Sequence, residues 1–187
     1  QLDVIRASAA QAAQLAANQK VVTVAVADTA ANISRKWALM QRLSDSLASV
    51  EVTDPANALT LTGDQLALGT ELLARFTDDA EHSYRLAVSG VKAGQAAAVA
   101  ALDNVAAVNV ADSADNIAAN LDALQAVNEL GLLKDITLTG KKPLLTLDMA
   151  RLQGAALTAT QGVLDTIGGG HYALAVTGVS TAALDDI

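Results

Sequence analysis

The side chains that could bind a cation or act as a base occur at two places with the same spacing. Asp28 is followed by Asn32, and Asp112 is followed by Asn116. A carboxylate at the end of a strand is a common calcium ligand, so the two aspartates are this chain's metal candidates. The same carboxylate could instead cap a helix, which stabilises it by about 1 kcal/mol. We favour the cap, because the sequence holds no Gly-rich nonapeptide and no spaced Asp-x-Asp calcium loop.

Other arrangements that support catalysis are missing from the sequence. His82 and His171 have no partner at metal-ligand spacing, and both are interpreted as loop residues. The glycines at 168–170 lack the Lys-Ser or Lys-Thr of a phosphate loop and precede a predicted strand. No serine lies in a Gly-x-Ser-x-Gly motif. We therefore predict no catalytic residue, no cofactor and no enzymatic activity.

Each of the two aspartates lies where a predicted strand meets a predicted helix. Residues 24–28 and 108–112 alternate apolar side chains at period two, and helical spacing begins after each Asp. The pairs Asp28 and Asp112, and Asn32 and Asn116, are separated by the same step (112 − 28 = 84). This shared step predicts a tandem repeat. We expect the repeated asparagines to hydrogen-bond backbone groups between the repeats.

Further capping residues and a core residue follow from the same comparison. Thr62 with Gln65 has the spacing of a capping box, and Asp148 takes the capping role in the second copy. A helix predicted over 29–47 carries Trp37 where the second copy has Leu121. Because this position lies on the apolar stripe, we interpret Trp37 as a core residue.

The predicted fold class is α/β (α+β), in tandem repeats with the order β-α-β-β-α-β-α. Asp-Pro at 54–55 between two alternating runs indicates a hairpin in the middle of each repeat. That order is typical of ferredoxin-like units, here joined by Ala-rich helices. The alternative is a continuous α/β solenoid in which each unit's sheet extends the last. The expected domains are the C-terminal helix of a preceding repeat (1–20), repeat 1 (21–104), and repeat 2, truncated in its last helix (105–187).

Composition limits the partners. The net charge of −8 disfavours nucleic acid and anionic membrane surfaces, which require clustered Lys and Arg. The most apolar run, at 93–102, is too short to cross a bilayer, so no membrane insertion is expected. The absence of cysteine fits large repetitive proteins that are exported unfolded.

Three repeated segments carry a resemblance to a known class of protein. They are Val-x-Val-x-Asp-(Thr/Ser)-Ala-x-Asn-Ile, Leu-Thr-Leu and Tyr-x-Leu-Ala-Val-x-Gly-Val. Together they resemble the tandem α/β repeats of large bacterial secreted or surface proteins, adhesins of the type I secretion kind among them. The resemblance implies an extracellular or cell-surface setting and a structural or adhesive role as stalk, spacer or matrix component.

The partners expected from this resemblance are neighbouring repeats of the same chain, with self-association or a cell-surface glycan or protein as further partners. An alternative function is a glycan-binding or protein-binding module. It would use an exposed Thr- and Ser-rich sheet face, for which 59–62 and 137–139 are the candidates.

Overall fold

The computed structural model describes residues 2–79, 83–168 and 172–179. The predictions made for His82, His171 and the C-terminal helix at 180–187 lie outside these residues, as do two of the three glycines at 168–170. The described chain is a mixed α/β protein in which helices alternate with strands of parallel sheets. It divides into two compact units, Gln1–Val88 and Ser89–Ile187.

The first unit contains one complete parallel sheet. Strands β1 (Leu2–Ala7), β2 (Val21–Asp28) and β3 (Leu47–Val52) lie in this order and pair in parallel. The helices of the unit are α1 (Ala12–Ala16), α2 (Ala30–Arg42), α3 (Gly63–Leu68) and α4 (Thr70–Leu73). Strand β4 (Ala58–Thr62) lies beside β5 (Arg85–Val91). The division at 88/89 falls inside β5.

The second unit has a similar order of elements. Its strands after β5 are β6 (Val105–Ser113), β7 (Leu133–Thr139), β8 (Leu144–Asp148) and β9 (Ala173–Thr177). Its helices are α5 (Ala96–Ala100), α6 (Ala114–Ala119), α7 (Leu121–Glu129) and α8 (Gly154–Leu164). The pairs β6–β7 and β8–β9 are both parallel.

The observed division differs from the predicted domain boundaries after residues 20 and 104. Residues 2–20 hold β1 and α1, and they belong to the first unit because β1 pairs along β2. Residues 89–104 belong to the second unit. The sequence predicted a helix for 1–20, whereas residues 2–7 form β1, because parallel pairing ties this strand to β2.

The predicted central hairpin is wrong. Strand β3 pairs with β2, whereas β4 lies beside β5, so β3 and β4 belong to different sheets. The Asp-Pro loop closes a local β-turn, in which the Asn57 N–H donates to the Asp54 carbonyl at 2.9 Å, and it is also tied to a helix, because Asp54 Oδ1 accepts from the Ala30 N–H at 2.6 Å. Without this hairpin, the unit is not ferredoxin-like.

Apolar side chains on α2 and on the α6–α7 pair form the cores under these sheets. Helix α2 ends at Arg42, so Leu47, which the sequence placed in the helix, begins β3 instead. Trp37 is fully buried, as predicted. The corresponding buried side chains of the second unit are Ile117, Leu121, Leu124 and Val127. Every helix of the described residues is too short or too polar to cross a bilayer.

Three strands share one unusual backbone position. Arg6, Gly90 and Gly178 have φ values of 58°, 65° and 72°, in the left-handed region. They are spaced by 84 and then 88 residues (90 − 6 and 178 − 90), and the first spacing equals that between Asp28 and Asp112. The chain therefore makes the same bend near the ends of β1, β5 and β9.

Thr62 is the N-cap of α3 and forms a complete capping box with Gln65. The Gln65 N–H donates to Thr62 Oγ1 at 3.1 Å, and the Thr62 N–H donates to Gln65 Oε1 at 2.9 Å. We expect Thr62→Ala to lower the free energy of unfolding by about 1 kcal/mol, and Thr62→Ser to keep it, when measured by urea denaturation. Equal losses in both variants would indicate packing of the Thr62 methyl group as the cause.

Candidate functional site

The Asp28 carboxylate joins three parts of the first unit at the end of β2. Its Oδ1 accepts from the Thr29 N–H at 2.8 Å and from Asn32 Nδ2 at 2.7 Å. Its Oδ2 accepts from the Ala9 N–H, 3.0 Å away in the segment between β1 and α1. One side chain thus holds the end of a strand, the start of a helix and the preceding loop. We call this arrangement of Asp, Asn and loop amide the Asp node.

The second unit contains the same Asp node at the end of β6. Asp112 Oδ1 accepts from the Ser113 N–H at 2.9 Å and from Asn116 Nδ2 at 2.7 Å. Asp112 Oδ2 accepts from the Ala93 N–H at 3.0 Å. Each atom pair matches its counterpart in the first unit to within 0.1 Å. The two nodes differ in burial, because Asp112 is 6% exposed and Asp28 is half-buried.

The predicted capping role of Asp28 and Asp112 is wrong by one residue. The N-cap of α2 is Thr29, whose Oγ1 accepts from the Asn32 N–H at 3.3 Å. The N-cap of α6 is Ser113, whose Oγ accepts from the Asn116 N–H at 3.2 Å. Each aspartate precedes the cap and reaches across the junction to the loop. The hydroxyl one residue later is the group placed over the first turn of the helix.

The predicted role of Asn32 and Asn116 also needs correction. Neither amide nitrogen donates to backbone in another repeat; each donates to the aspartate four residues earlier in its own unit. The spacing of four residues, one helical turn, was the available sequence signal for this contact. The partners at Ala9 and Ala93 were missed, because a backbone N–H carries no side-chain signature.

The other two predicted caps lie elsewhere in the fold. Thr62 caps α3, as described above. Asp148 is the N-cap of a short 3-10 helix, Met149–Leu152, and its Oδ1 accepts from the Ala150 N–H at 2.8 Å. The structure therefore does not bring Thr62 and Asp148 together with the Asp nodes.

The environment of each node favours the charged carboxylate. Burial raises the pKa of Asp28, but hydrogen bonds from Asn32 and from the backbone outweigh it, so the pKa lies below the ordinary 3.8. Asp112 shows the same balance, with burial opposed by Asn116 and two backbone N–H groups, and its pKa is also lowered. Both groups are therefore anions at neutral pH and act as hydrogen-bond acceptors.

We expect these two carboxylates to make the fold sensitive to acid. Because their pKa is lower in the folded chain, their stabilising contribution is complete above the unfolded value of 3.8 and is lost as the pH falls through the lower folded value. Urea denaturation from pH 7 to about pH 2.5 should show stability falling below about pH 4. The stability difference between wild type and the Asp28→Asn/Asp112→Asn variant should shrink over the same range. A stability difference between wild type and variant that stays constant with pH would contradict a lowered pKa for Asp28 and Asp112 in the folded chain.

The hydrogen bonds of Asp28 and Asp112 disfavour a role for these residues as metal ligands. Both oxygens of each carboxylate already accept hydrogen bonds, two at Oδ1 and one at Oδ2. Residues 2–79, 83–168 and 172–179 contain no group of three or more His, Cys, Asp or Glu placed to hold a metal ion. The hydrogen bonds of each node thus hold the strand, the helix and the loop together.

An open groove of about 690 Å³ lies on the first unit, beside the start of α2 and β4. Its lining includes Thr60 from the Thr-rich run that the sequence proposed as a binding face. The other lining residues are Ala31, Ser34, Arg35, Asp54, Asn57 and Ala58.

Most polar groups of this groove already serve the fold. Ser34 Oγ donates to the Ala30 carbonyl at 2.7 Å and accepts from the Thr60 N–H at 2.9 Å. Arg35 Nη2 donates to Asn32 Oδ1 at 2.8 Å. The second copy has Ala118 and Ala119 where the first has Ser34 and Arg35. The polar side chains that line the groove are therefore found in one unit only, whereas the Asp node occurs in both.

The site common to both units is thus a joint made of hydrogen bonds, and the groove beside Thr60 is one of several concave features of the described residues. Comparison of this chain with protein-family models, with curated proteins and with solved structures finds no match.

Proposed function

We propose that this chain is a non-enzymatic structural segment built from tandem α/β repeats, acting as a stalk, spacer or matrix element. The observation that carries the proposal is the Asp node, which recurs after 84 residues (112 − 28) with the same atoms bonded. Both carboxylate oxygens of its aspartate and the amide nitrogen of its asparagine are used to join a strand, a helix and a loop. A joint reproduced in this way maintains the shape of a repeat and performs no chemistry.

Within this proposal, the repeats form a solenoid and not separate domains. The parallel pairing of strands within each unit, without the predicted hairpin, favours the solenoid over ferredoxin-like domains. In a solenoid, stability is approximately a sum over repeats and their neighbour contacts, so length can vary without a change of fold.

The setting we propose is the outside of a bacterial cell, as part of a large secreted or surface protein related to the adhesins exported by type I secretion. The acidic charge and the absence of cysteine support an exported repetitive chain. Its proposed partners are neighbouring repeats of the same chain. Antiserum raised against the chain should label intact cells of the source organism, and labelling that requires lysis would contradict this location.

Mechanical unfolding of single molecules tests the structural role directly. A chain held at both ends should extend in two similar steps, each of about 290 Å for roughly 84 residues at about 3.5 Å per residue. Asp28→Ala should lower the force of one step, and Asp112→Ala should lower the force of the other. A single step for the whole chain, or two variants that weaken the same step, would contradict two equivalent repeats.

Glycan or protein binding is a second candidate function, favoured by the groove that contains Thr60 and Arg35. An oligosaccharide array probed with labelled chain tests it. Binding should be lost with Thr60→Ala and retained with Thr146→Ala, the matching position of the second unit. Equal binding by both variants would exclude the groove as the site.

A further inference from the structure

A small pocket lies on the first unit beside the Asp node, where α2 carries two adjacent cations. Its volume is about 230 Å³. Sites for drug-sized ligands are larger, at roughly 300–1,000 Å³, so this pocket fits one small molecule or a single sugar residue. The lining residues are Ser8, Ala10, Asp28, Asn32, Arg35 and Lys36.

The Asp node holds the Arg35 guanidinium in place. Arg35 Nη2 donates to Asn32 Oδ1 at 2.8 Å, and Asn32 Nδ2 in turn donates to Asp28 Oδ1 at 2.7 Å. A guanidinium carries five N–H donors in one plane, so this hydrogen bond fixes its orientation and leaves donors for a ligand. Lys36 is the next residue of the helix and is exposed. An oriented guanidinium with an ammonium group beside it is suited to bind a carboxylate.

The groups available for binding are side chains, because the backbone amides at the start of α2 are already used. These amides donate to the side chains of Asp28, Asp54 and Thr29. An anion in the pocket would therefore depend on the two cations and not on the helix terminus.

The charges and acceptors of the pocket favour a singly charged anion that also carries a hydroxyl group. Arg35 and Lys36 supply two positive charges and Asp28 supplies one negative charge, which leaves one positive charge to be balanced. A dianion would be repelled by Asp28 more strongly than a carboxylate would. Asp28 Oδ2 accepts one hydrogen bond, from the Ala9 N–H, and a carboxylate oxygen can accept a second. This oxygen is thus an acceptor for a ligand hydroxyl.

The second unit shows that the joint forms without these cations. It has Ala119 and Asn120 at the positions of Arg35 and Lys36 (119 − 35 = 84), yet its Asp node has the same hydrogen bonds. Asn120 Nδ2 donates to the Asn116 carbonyl at 2.9 Å, within its own helix pair. The structural role of the node therefore does not explain the cation pair of the first unit.

We propose that this pocket binds a small hydroxycarboxylate, whose carboxylate contacts Arg35 and Lys36 and whose hydroxyl donates to Asp28 Oδ2. A uronic acid residue of a polysaccharide and a free hydroxy acid are two sources of such a group. The site adds a ligand to the structural role and does not depend on it. It also differs from the groove beside Thr60, because Thr60 is absent from the lining of the pocket.

Titration of the ¹⁵N-labelled chain with galacturonate, followed by NMR, tests the site. We expect saturable shifts of the Ala9, Asn32 and Arg35 amides with a Kd of about 1 mM or below. Galactose has the hydroxyls without the carboxylate and should produce no saturable shift. The methyl glycoside of galacturonate mimics a polysaccharide residue, so tighter binding of it than of glycerate assigns a polysaccharide, and the reverse assigns a free hydroxy acid.

Variants of α2 identify the groups that bind. Arg35→Gln and Lys36→Gln should each weaken galacturonate binding at least about fivefold, since each removes a charge-assisted hydrogen bond. Arg42→Gln is the matched control, because it removes an exposed cation at the end of the same helix, about 10 Å further along it. This variant should bind like wild type, as should Thr60→Ala. Circular dichroism and thermal unfolding check that all four variants fold.

Three results would overturn the hydroxycarboxylate site. They are the absence of saturable shifts up to about 20 mM galacturonate, equal affinities of wild type and Arg35→Gln, and binding of inorganic phosphate at pH 8 as tightly as galacturonate. A chain that fails to bind galacturonate but unfolds in two similar mechanical steps would overturn this inference and leave the structural role standing. Binding of galacturonate by a chain without two equivalent steps would do the reverse.

Discussion

Replacing Asp112 with alanine is expected to lower the free energy of unfolding by about 3 kcal/mol, because three donors lose a charged acceptor at once. The Ala93 N–H, the Ser113 N–H and Asn116 Nδ2 all donate to this carboxylate. Asp112 is among the few buried polar residues of the described chain, so water replaces these bonds poorly. Urea denaturation followed by circular dichroism measures the loss.

The chain offers a matched control for this substitution. Asp115 is exposed in the first turn of α6, and the first repeat has Ala31 at the corresponding position. Asp115→Ala should therefore change stability by less than about 0.5 kcal/mol. Asp28→Ala should cost less than Asp112→Ala, because Asp28 is half-buried and water can reach its donors. An equal loss for Asp115→Ala and Asp112→Ala would show that general charge, and not the node, determines stability.

Gly69→Ala is expected to destabilise the first unit by about 2 kcal/mol through overpacking. A methyl group at this position would lie 2.5 Å from Cζ2 of Trp37 and 2.7 Å from the Gln65 carbonyl oxygen. The indole ring is fully buried and cannot move aside without displacing its neighbours. Thermal and urea unfolding of the variant measure the effect.

The second repeat suggests the compensating change. At the position of Trp37 it has Leu121, a smaller side chain that would leave room for a methyl group at residue 69. Trp37→Leu/Gly69→Ala should therefore recover part of the loss, and a double-mutant cycle should give a favourable coupling of about 1 kcal/mol. Additive effects of the two substitutions would contradict contact between the two positions.

Gly94→Ala provides the control for this pair. Its added methyl group would meet Asn120 Oδ1 at 3.5 Å, an ordinary contact, and the first repeat already has Ala10 there. We expect less than about 0.5 kcal/mol of change. A large loss at Gly94 would mean that glycine is needed for its backbone conformation and not for space.

Much of the local structure was predictable because it depends on residues close together in the chain. The alternation up to Asp28 and Asp112 fixed two strands, and the apolar stripe identified Trp37 as a core residue. The capping box of Thr62 with Gln65 needs only three residues of separation. The shared step of 84 residues predicted that Asp28 and Asn32 correspond to Asp112 and Asn116.

The candidate site was predicted only in part. The sequence drew attention to Asp28, Asn32, Asp112 and Asn116, but it assigned the wrong bonds to them. The caps proved to be Thr29 and Ser113, since a hydroxyl one residue later reaches the first turn and leaves the carboxylate for the loop. The third member of each node is a backbone N–H 19 residues earlier in the chain, which no side-chain pattern marks.

What the sequence determined by itself was local: the strands that end at Asp28 and Asp112, the helices that follow them and the capping box of Thr62, because helical and strand periodicity and local caps act over one or two turns of chain. What only the tertiary structure decided was which strands pair. An alternating run beside an Asp-Pro turn fits a hairpin as well as two strands in different sheets, and the choice depends on contacts far apart in the chain, such as Asp54 with Ala30. Pairing also decided where the first unit begins, since β1, which lies in a segment that the sequence predicted as a helix, pairs along β2.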